Sequence, residues 1–321
     1  MKSMTPIILV TVDGSDKDER AIAVAAALAE LGNATIRVVR VFEPLVETLP
    51  SSASELAAVA LRADVVKNVR QTAERMHAML HREVMPDVID GFDVAATLLD
   101  DLKVHDASLV VMATRAAGAV GRAIHGSVAD LLVRESPRPV VLVPPRAEYL
   151  GGKHITLRRV LVPVDGSLAA LRVIPTLLAL SRAEALELVL LQVVRRERVG
   201  SYVMPQGTPT LGDQVPDGGE WTHVGAAVAE RRLGAIAGDL RARGGQAEVR
   251  VIESADVSSV IVDAIRNDLV ELVAMSTRGE SGLRRLMLGS VAEQVVRHSE
   301  VPVLLVTARS GPAVPLSLQR V

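Results

Sequence analysis

Cysteine is absent from the 321 residues, which excludes disulfides and thiolate metal sites. Aromatic residues are nearly absent too, at 2%, so base-stacking platforms for single-stranded nucleic acid are not expected. No excess of positive charge exists: 36 Lys and Arg against 38 Asp and Glu leave a net charge of −2. A broad nucleic-acid face needs a basic surface, and this balance argues against one. No apolar run reaches the ~18 residues that a membrane helix requires. The first such run, Pro6 to Val12, stops at Asp13 without a small-residue cleavage site, and reads as a buried strand rather than a leader. The expectation is a cytoplasmic protein without membrane or nucleic-acid partners.

What is present is a repeat. Ile8-Leu9-Val10-Thr11-Val12-Asp13-Gly14-Ser15 returns as Val160-Leu161-Val162-Pro163-Val164-Asp165-Gly166-Ser167, an offset of 165 − 13 = 152. Gly126-Ser127-Val128-Ala129-Asp130 returns as Gly289-Ser290-Val291-Ala292-Glu293, an offset of 289 − 126 = 163. Pro139-Val140-Val141-Leu142-Val143 returns as Pro302-Val303-Leu304-Leu305-Val306 at the same 163. Copy two has therefore gained 163 − 152 = 11 residues, and the Gly- and Pro-rich segment 199–222 is the place for them.

Within each copy, short β-branched runs alternate with longer helical patterns, the signature of parallel strands joined by crossover helices. Copy one reads as strands at 7–12, 35–41, 84–89, 108–112 and 139–143, with helices near 17–31, 54–82, 93–105 and 127–136. Copy two repeats the strands at 159–164, 186–193, 247–252, 270–275 and 302–306. Runs of Val, Ile and Leu fit sheets covered on both faces. Pro86 falls inside the third strand of copy one, and a proline cannot donate to a ladder, so that strand belongs at a sheet edge. The domains are 1–147 and 148–308, with a poorly ordered tail at 309–321.

The constellation with chemistry is the turn after the fourth strand of copy two. Met275-Ser276-Thr277-Arg278-Gly279 leads through Gly282 to Gly289-Ser290, where a helix begins. Glycines allow positive φ and bring backbone N–H groups close to a ligand. Ser290 is expected to cap a helix whose positive end seats phosphate. Asp165 ends the first strand and faces this turn if strands one and four are neighbours, at the strand ends where open α/β sheets bind ligands.

These residues resemble the universal stress protein family. The V-x-V-D-G-S run is similar to the family's start, and the turn to its G-x-x-G-x9-G-S signature in ATP-binding members. Copy two matches with Ser276, Gly279, Gly289 and Ser290, so only the first glycine is replaced. The resemblance covers roughly 5–144 and 158–307. It implies two Rossmann-like, doubly wound α/β domains, each a five-stranded parallel sheet in order 3-2-1-4-5. It implies adenine contacts from Asp165 and from backbone near Pro163, Val164 and Val193. It places Met275, Ser276 and Gly279 along ribose and phosphates, and Gly289, Ser290 and Val291 on the phosphate chain of ATP, with Mg²⁺ as counter-ion. In copy one Asp13, Val41, Gly126, Ser127 and Val128 remain, but both early glycines are alanine, Ala113 and Ala116, so weaker binding is expected there. Family members dimerise through the fifth strand, which implies internal pairing of the two copies and further self-association as a homodimer.

Other motifs fail. Gly152-Lys153-His154 is not a phosphate-binding G-x-x-x-x-G-K-[ST] loop, and Gly279-Glu280-Ser281-Gly282 has the wrong spacing for a nucleophile elbow. His77 and His81 share a helix face, but without a third ligand they read as a solvated face. Three classes of function remain open: a regulatory ATP-binding module, a slow nucleotide hydrolase, and a nucleotide-free dimerising scaffold. No placed general base or nucleophile is found, and the first class is favoured.

Overall fold

A computed structural model of the chain describes residues 5–44, 51–114, 126–150, 155–180, 186–195, 218–277, 288–307 and 309–310. Copy one contains β1 (Ile7–Thr11), α1 (Asp18–Gly32), β2 (Thr35–Phe42), α2 (Ser51–Leu80), β3 (Val84–Asp90), α3 (Val94–Val104), β4 (Leu109–Ala113), α4 (Ser127–Glu135) and β5 (Val140–Val143). Copy two contains β6 (Arg159–Val164), α5 (Val173–Leu180), β7 (Glu187–Val194), α6 (Gly218–Ala242), β8 (Gln246–Glu253), α7 (Val257–Asn267), β9 (Leu272–Ser276), α8 (Ser290–His298) and β10 (Val303–Val306). A 3-10 turn at Ala170–Arg172 leads into α5, and another at Pro145–Leu150 opens the link between copies.

One ten-stranded sheet results, in the order β3-β2-β1-β4-β5-β10-β9-β6-β7-β8. Each half is parallel, in the order 3-2-1-4-5 of its own strands. The halves meet where β5 and β10 pair antiparallel, with Val140, Val141 and Leu142 opposite Leu305, Leu304 and Val303. All six side chains are buried, and a fully buried residue of this size contributes about 1.5–3 kcal/mol. The strands of one copy therefore run opposite to those of the other. Pro86 sits on β3, an edge strand paired only with β2, where its missing N–H leaves no gap in the ladder.

Helices cover both faces, as the continuous apolar strands require. α1, α2, α5 and α6 share one core; α3, α4, α7 and α8 share the other, and both cores run across the seam. Six alanines in α1 allow close packing, and an added Cβ at Gly32 would run into the carbonyl oxygen of Leu180 on α5. The repeat extends to local chemistry. Asp93 caps α3 by accepting from the N–H groups of Ala95 and Ala96 at 2.9 and 3.0 Å, and Asp256 caps α7 through Ser259 N–H at 3.0 Å. Ser136 and Ser299, both fully buried, donate to Arg138 and Val301 carbonyls at 2.7 Å.

The copies differ in their charges. In copy one Arg37, 7% exposed, donates to Asp101 at 2.6 and 2.8 Å and also binds Asp87. Copy two has Val189 in place of Arg37 and instead builds a half-buried ladder in which Arg159 joins Glu187 and Glu248, and Arg250 joins Glu248 and Asp268. Contrary to the expectation of a loose tail, its first residues are tied down: Arg309 N–H donates to Thr307 Oγ1 at 3.1 Å, and the Arg309 guanidinium pairs with Glu135. Residues 311–321 lie outside the described residues, as does most of the 199–222 insertion.

Candidate functional site

β6 pairs with β7 on one side and β9 on the other. This neighbourhood brings the carboxyl ends of three strands together at the point where the strand order reverses, and Asp165, Val193 and Ser276 lie there. Alternation along β7 puts Leu188 and Leu190 in the α5–α6 core, and Val189, Leu191 and Val193 toward the α7–α8 core. Val193 therefore flanks the crevice side of the sheet. Pro163 and Val164 are buried at the end of β6, whereas Asp165 is exposed just beyond it. Its Oδ1 accepts from Ser167 N–H at 2.9 Å, forming a turn with Gly166 at φ +91°.

The start of α8 is fastened to the end of β9. Thr277 N–H donates to the Val306 carbonyl at 3.0 Å, and Gly289 N–H donates to the Thr277 carbonyl at 3.3 Å. Ser290 is the first residue of α8, and Gly289 occupies the cap position, so the expected capping role of Ser290 is corrected. The chain enters helical geometry one residue earlier than a capping serine allows. Gly289 and Ser290 are exposed and Val291 is half-buried, which leaves the positive end of α8 open to solvent. Met275 is buried under it and belongs to the core rather than to an accessible wall. Gly279 and the rest of the turn, 278–287, lie outside the described residues.

Copy one brings Asp13, Val41, Gly126, Ser127 and Val128 to the corresponding ends of β1, β2 and α4, with β1 between β2 and β4. Its turn is filled differently. Asp18, only 7% exposed, accepts from Asp13 N–H at 3.0 Å and from Gly14 N–H at 2.7 Å. Burial pushes the Asp18 carboxyl up to about 6, even though these N–H groups pull the other way. Partial burial opposes the shift at Asp13, but Lys17 and Ser15 prevail and hold it down at about 2. In copy two the position of Asp18 is Ala170 (18 + 152), so that residue supplies no carboxylate to the turn.

The universal stress protein family model matches residues 4–144 and again 156–307. The chain belongs to the universal stress protein family. A universal stress protein of Mycolicibacterium smegmatis is 26% identical over 309 residues, covering 94% of this chain and 97% of its own length. One from Thermus aquaticus is 34% identical over 140 residues, covering 44% of this chain and 99% of its own length, so it is about one copy long. The crystal structure of a universal stress protein from Archaeoglobus fulgidus superposes with a TM-score of 0.61 at 19% identity, over 94% of this chain and 96% of that one.

Within this universal stress protein, three residues near the strand ends escaped the motif search. An added Cβ on Gly14 would lie 2.5 Å from Arg40 Nη1, and one on Gly166 would lie 3.3 Å from both Arg232 Nη1 and Gln192 Nε2. Strand alternation would have put Arg40 and Gln192 on the same face, but Arg232 arrives from a helix remote in sequence. His77 and His81 do not act together: His77 Nδ1 lies 2.5 Å from the Arg82 carbonyl, and His81 takes a left-handed φ of 51° at the end of α2.

Proposed function

We propose that this universal stress protein is a regulatory ATP-binding protein, with copy two as the better site. The observation that carries the reading is the convergence of Asp165, Val193 and the exposed Gly289–Ser290 start of α8 around the β6–β9 switch point. The groups present fit an adenine nucleotide. An exposed carboxylate offers an acceptor for the adenine amine, and the unsatisfied N–H groups of the first turn of α8 offer donors to phosphate. Backbone at Pro163, Val164 and Val193 would frame the base, Ser276 and Gly279 the ribose and first phosphates, and Gly289, Ser290 and Val291 the remainder. Among the described residues no group of His, Asp and Glu gathers as a metal site. Mg²⁺ would then be held by phosphates and water, as this ion commonly is.

Copy one keeps Asp13, Val41, Gly126, Ser127 and Val128, but the Asp18 carboxylate already engages the N–H groups of its first turn. That supports weaker binding there. The antiparallel β5–β10 seam stands in for a dimer contact between single-copy chains. No general base is placed near the crevice among the described residues, so turnover is expected well below the ~10 s⁻¹ typical of enzymes.

Isothermal titration with ATP tests the reading. Gly279→Val is expected to weaken binding by ~2 kcal/mol or more, about thirtyfold, because the added side chain takes space the proposed ligand needs. Ser290→Ala should cost about 1 kcal/mol, because backbone donors persist. Ala116→Val should change little. No loss from any variant would remove the site, and equal loss from Gly279→Val and Ala116→Val would remove the asymmetry. Release of an adenine nucleotide from the purified, denatured protein would support occupancy directly.

A further inference from the structure

Each copy places a guanidinium over its first Asp-Gly-Ser turn, and the two copies do so from different elements. In copy one the group comes from the strand: Arg40 of β2 lies over Gly14. In copy two the strand position is Gln192 (40 + 152), and the guanidinium comes from Arg232 of α6 instead. Copy one has no arginine at the matching helical position, where Asn68 precedes buried Val69 as Arg232 precedes buried Leu233. The charge has kept its place in space while changing its place in the chain.

Neither arginine has a hydrogen bond or ion pair among the described residues, although most other described arginines are paired. Gln192 turns Nε2, a donor, toward the Gly166 turn, and its Oε1 is buried without a donor. Both groups lie on the α1–α2 or α5–α6 side of the sheet. Ile36 and Val38 share that face with Arg40, and Leu188 and Leu190 share it with Gln192, whereas Val41 and Val193 face the opposite core. The site is thus across the sheet from the candidate nucleotide crevice.

We propose that each Asp-Gly-Ser turn carries a phosphate site on this second face, anchored by Arg40 in copy one and by Arg232 with Gln192 in copy two. A guanidinium fork matches phosphate oxygens, and in copy two Gln192 Nε2 donates to a phosphate oxygen beside the glycine turn. Inorganic phosphate and a phosphate monoester share this chemistry.

The test is isothermal titration of the nucleotide-free, full-length protein with inorganic phosphate at low ionic strength. Two sites are expected in the parent, one in Arg40→Gln, one in Arg232→Gln and none in the double variant, each lost site weakening at least tenfold. Arg40→Lys and Arg232→Lys keep the charge without the fork and should retain part of the affinity, with circular dichroism showing that all variants fold. Glycerol phosphate competing with phosphate would assign the site to esters, and failure to compete would assign it to the free anion. No binding by the parent, or an isotherm unchanged by both Arg→Gln variants, overturns the proposal. So does an isotherm abolished by Gly279→Val, because phosphate would then sit in the crevice. ATP titration is independent: binding of phosphate without ATP would sink the nucleotide reading and leave this one standing.

Discussion

Gly126 and Gly289 occupy the same place in the two copies, yet only one of them needs to be glycine. Gly126 has φ +90° and ψ 151°, a region open essentially to glycine alone, and an added Cβ would meet nothing within 4 Å among the described residues. Gly126→Ala therefore isolates backbone strain without steric conflict, and the expected cost is about 1–3 kcal/mol. Gly289 has φ −62° and ψ 149°, and its added Cβ would rest at an ordinary 3.4 Å from the Thr277 carbonyl oxygen. Gly289→Ala gains roughly 0.4–1 kcal/mol by restricting the unfolded chain. It loses a similar amount because alanine is the poorer residue at a helix cap, so the net effect is near zero. The predicted difference between the variants is thus about 1–3 kcal/mol, and at roughly 2–4 °C per kcal/mol for a domain of this size it is measurable by scanning calorimetry. Urea unfolding followed by circular dichroism provides the second assay. A loss at Gly289 equal to or larger than that at Gly126 would refute the reasoning.

Three further outcomes follow from the charges. Arg37→Ala leaves buried Asp101 with only the His105 imidazole and Asp87 without its arginine, and should cost about 3–5 kcal/mol in urea unfolding; a change below 1 kcal/mol would show that water replaces the guanidinium. Asp18 is raised to about 6, so the folded state holds its proton more tightly than the unfolded chain, and copy one should gain stability as pH falls from about 6 toward 4. Asp13, lowered to about 2, acts in the opposite sense, and its stabilisation is lost as pH falls below the ordinary carboxylate value toward 2. Asp18→Asn should abolish the slope between pH 4 and 6, and a variant that keeps this slope would exclude Asp18 as its source. Steady-state hydrolysis of ATP with Mg²⁺ should stay well below ~10 s⁻¹, and a rate near that value removed by one substitution would make the protein an enzyme.

Much of the architecture was legible because it is written in local patterns. Val-, Ile- and Leu-rich runs located the strands to within about two residues, and Pro86 marked the edge through its missing donor. The repeated offsets placed matching turns before any geometry was known. Long-range electrostatics were not legible. Nothing near Arg37 in the sequence announces Asp87 and Asp101, which lie 50 and 64 residues away and reach it only through strand register and helix packing. Arg232 is hidden for the same reason. Ser290 misled in a different way: a serine before a helical pattern is a strong cap signal, but the preceding glycine supplies the cap. Asp165 and Val193 lie at the carboxyl ends of neighbouring strands, and Gly289 follows β9, which also neighbours β6.

The antiparallel seam has an evolutionary consequence. In a dimer of identical chains, every substitution is made twice, so a change useful at one site and harmful at the other is lost. Here β5 and β10 belong to one gene product but to separately mutable stretches of it. One half could acquire the Arg37 cluster while the other built the Arg159 ladder. A guanidinium could also pass from strand to helix in one half alone. Because the halves run in opposite directions, their strand ends open at opposite ends of the molecule, and neither needs to remain compatible with a partner bound at the other. Joined in one chain, the two halves form two separate surfaces carried at a fixed one-to-one ratio.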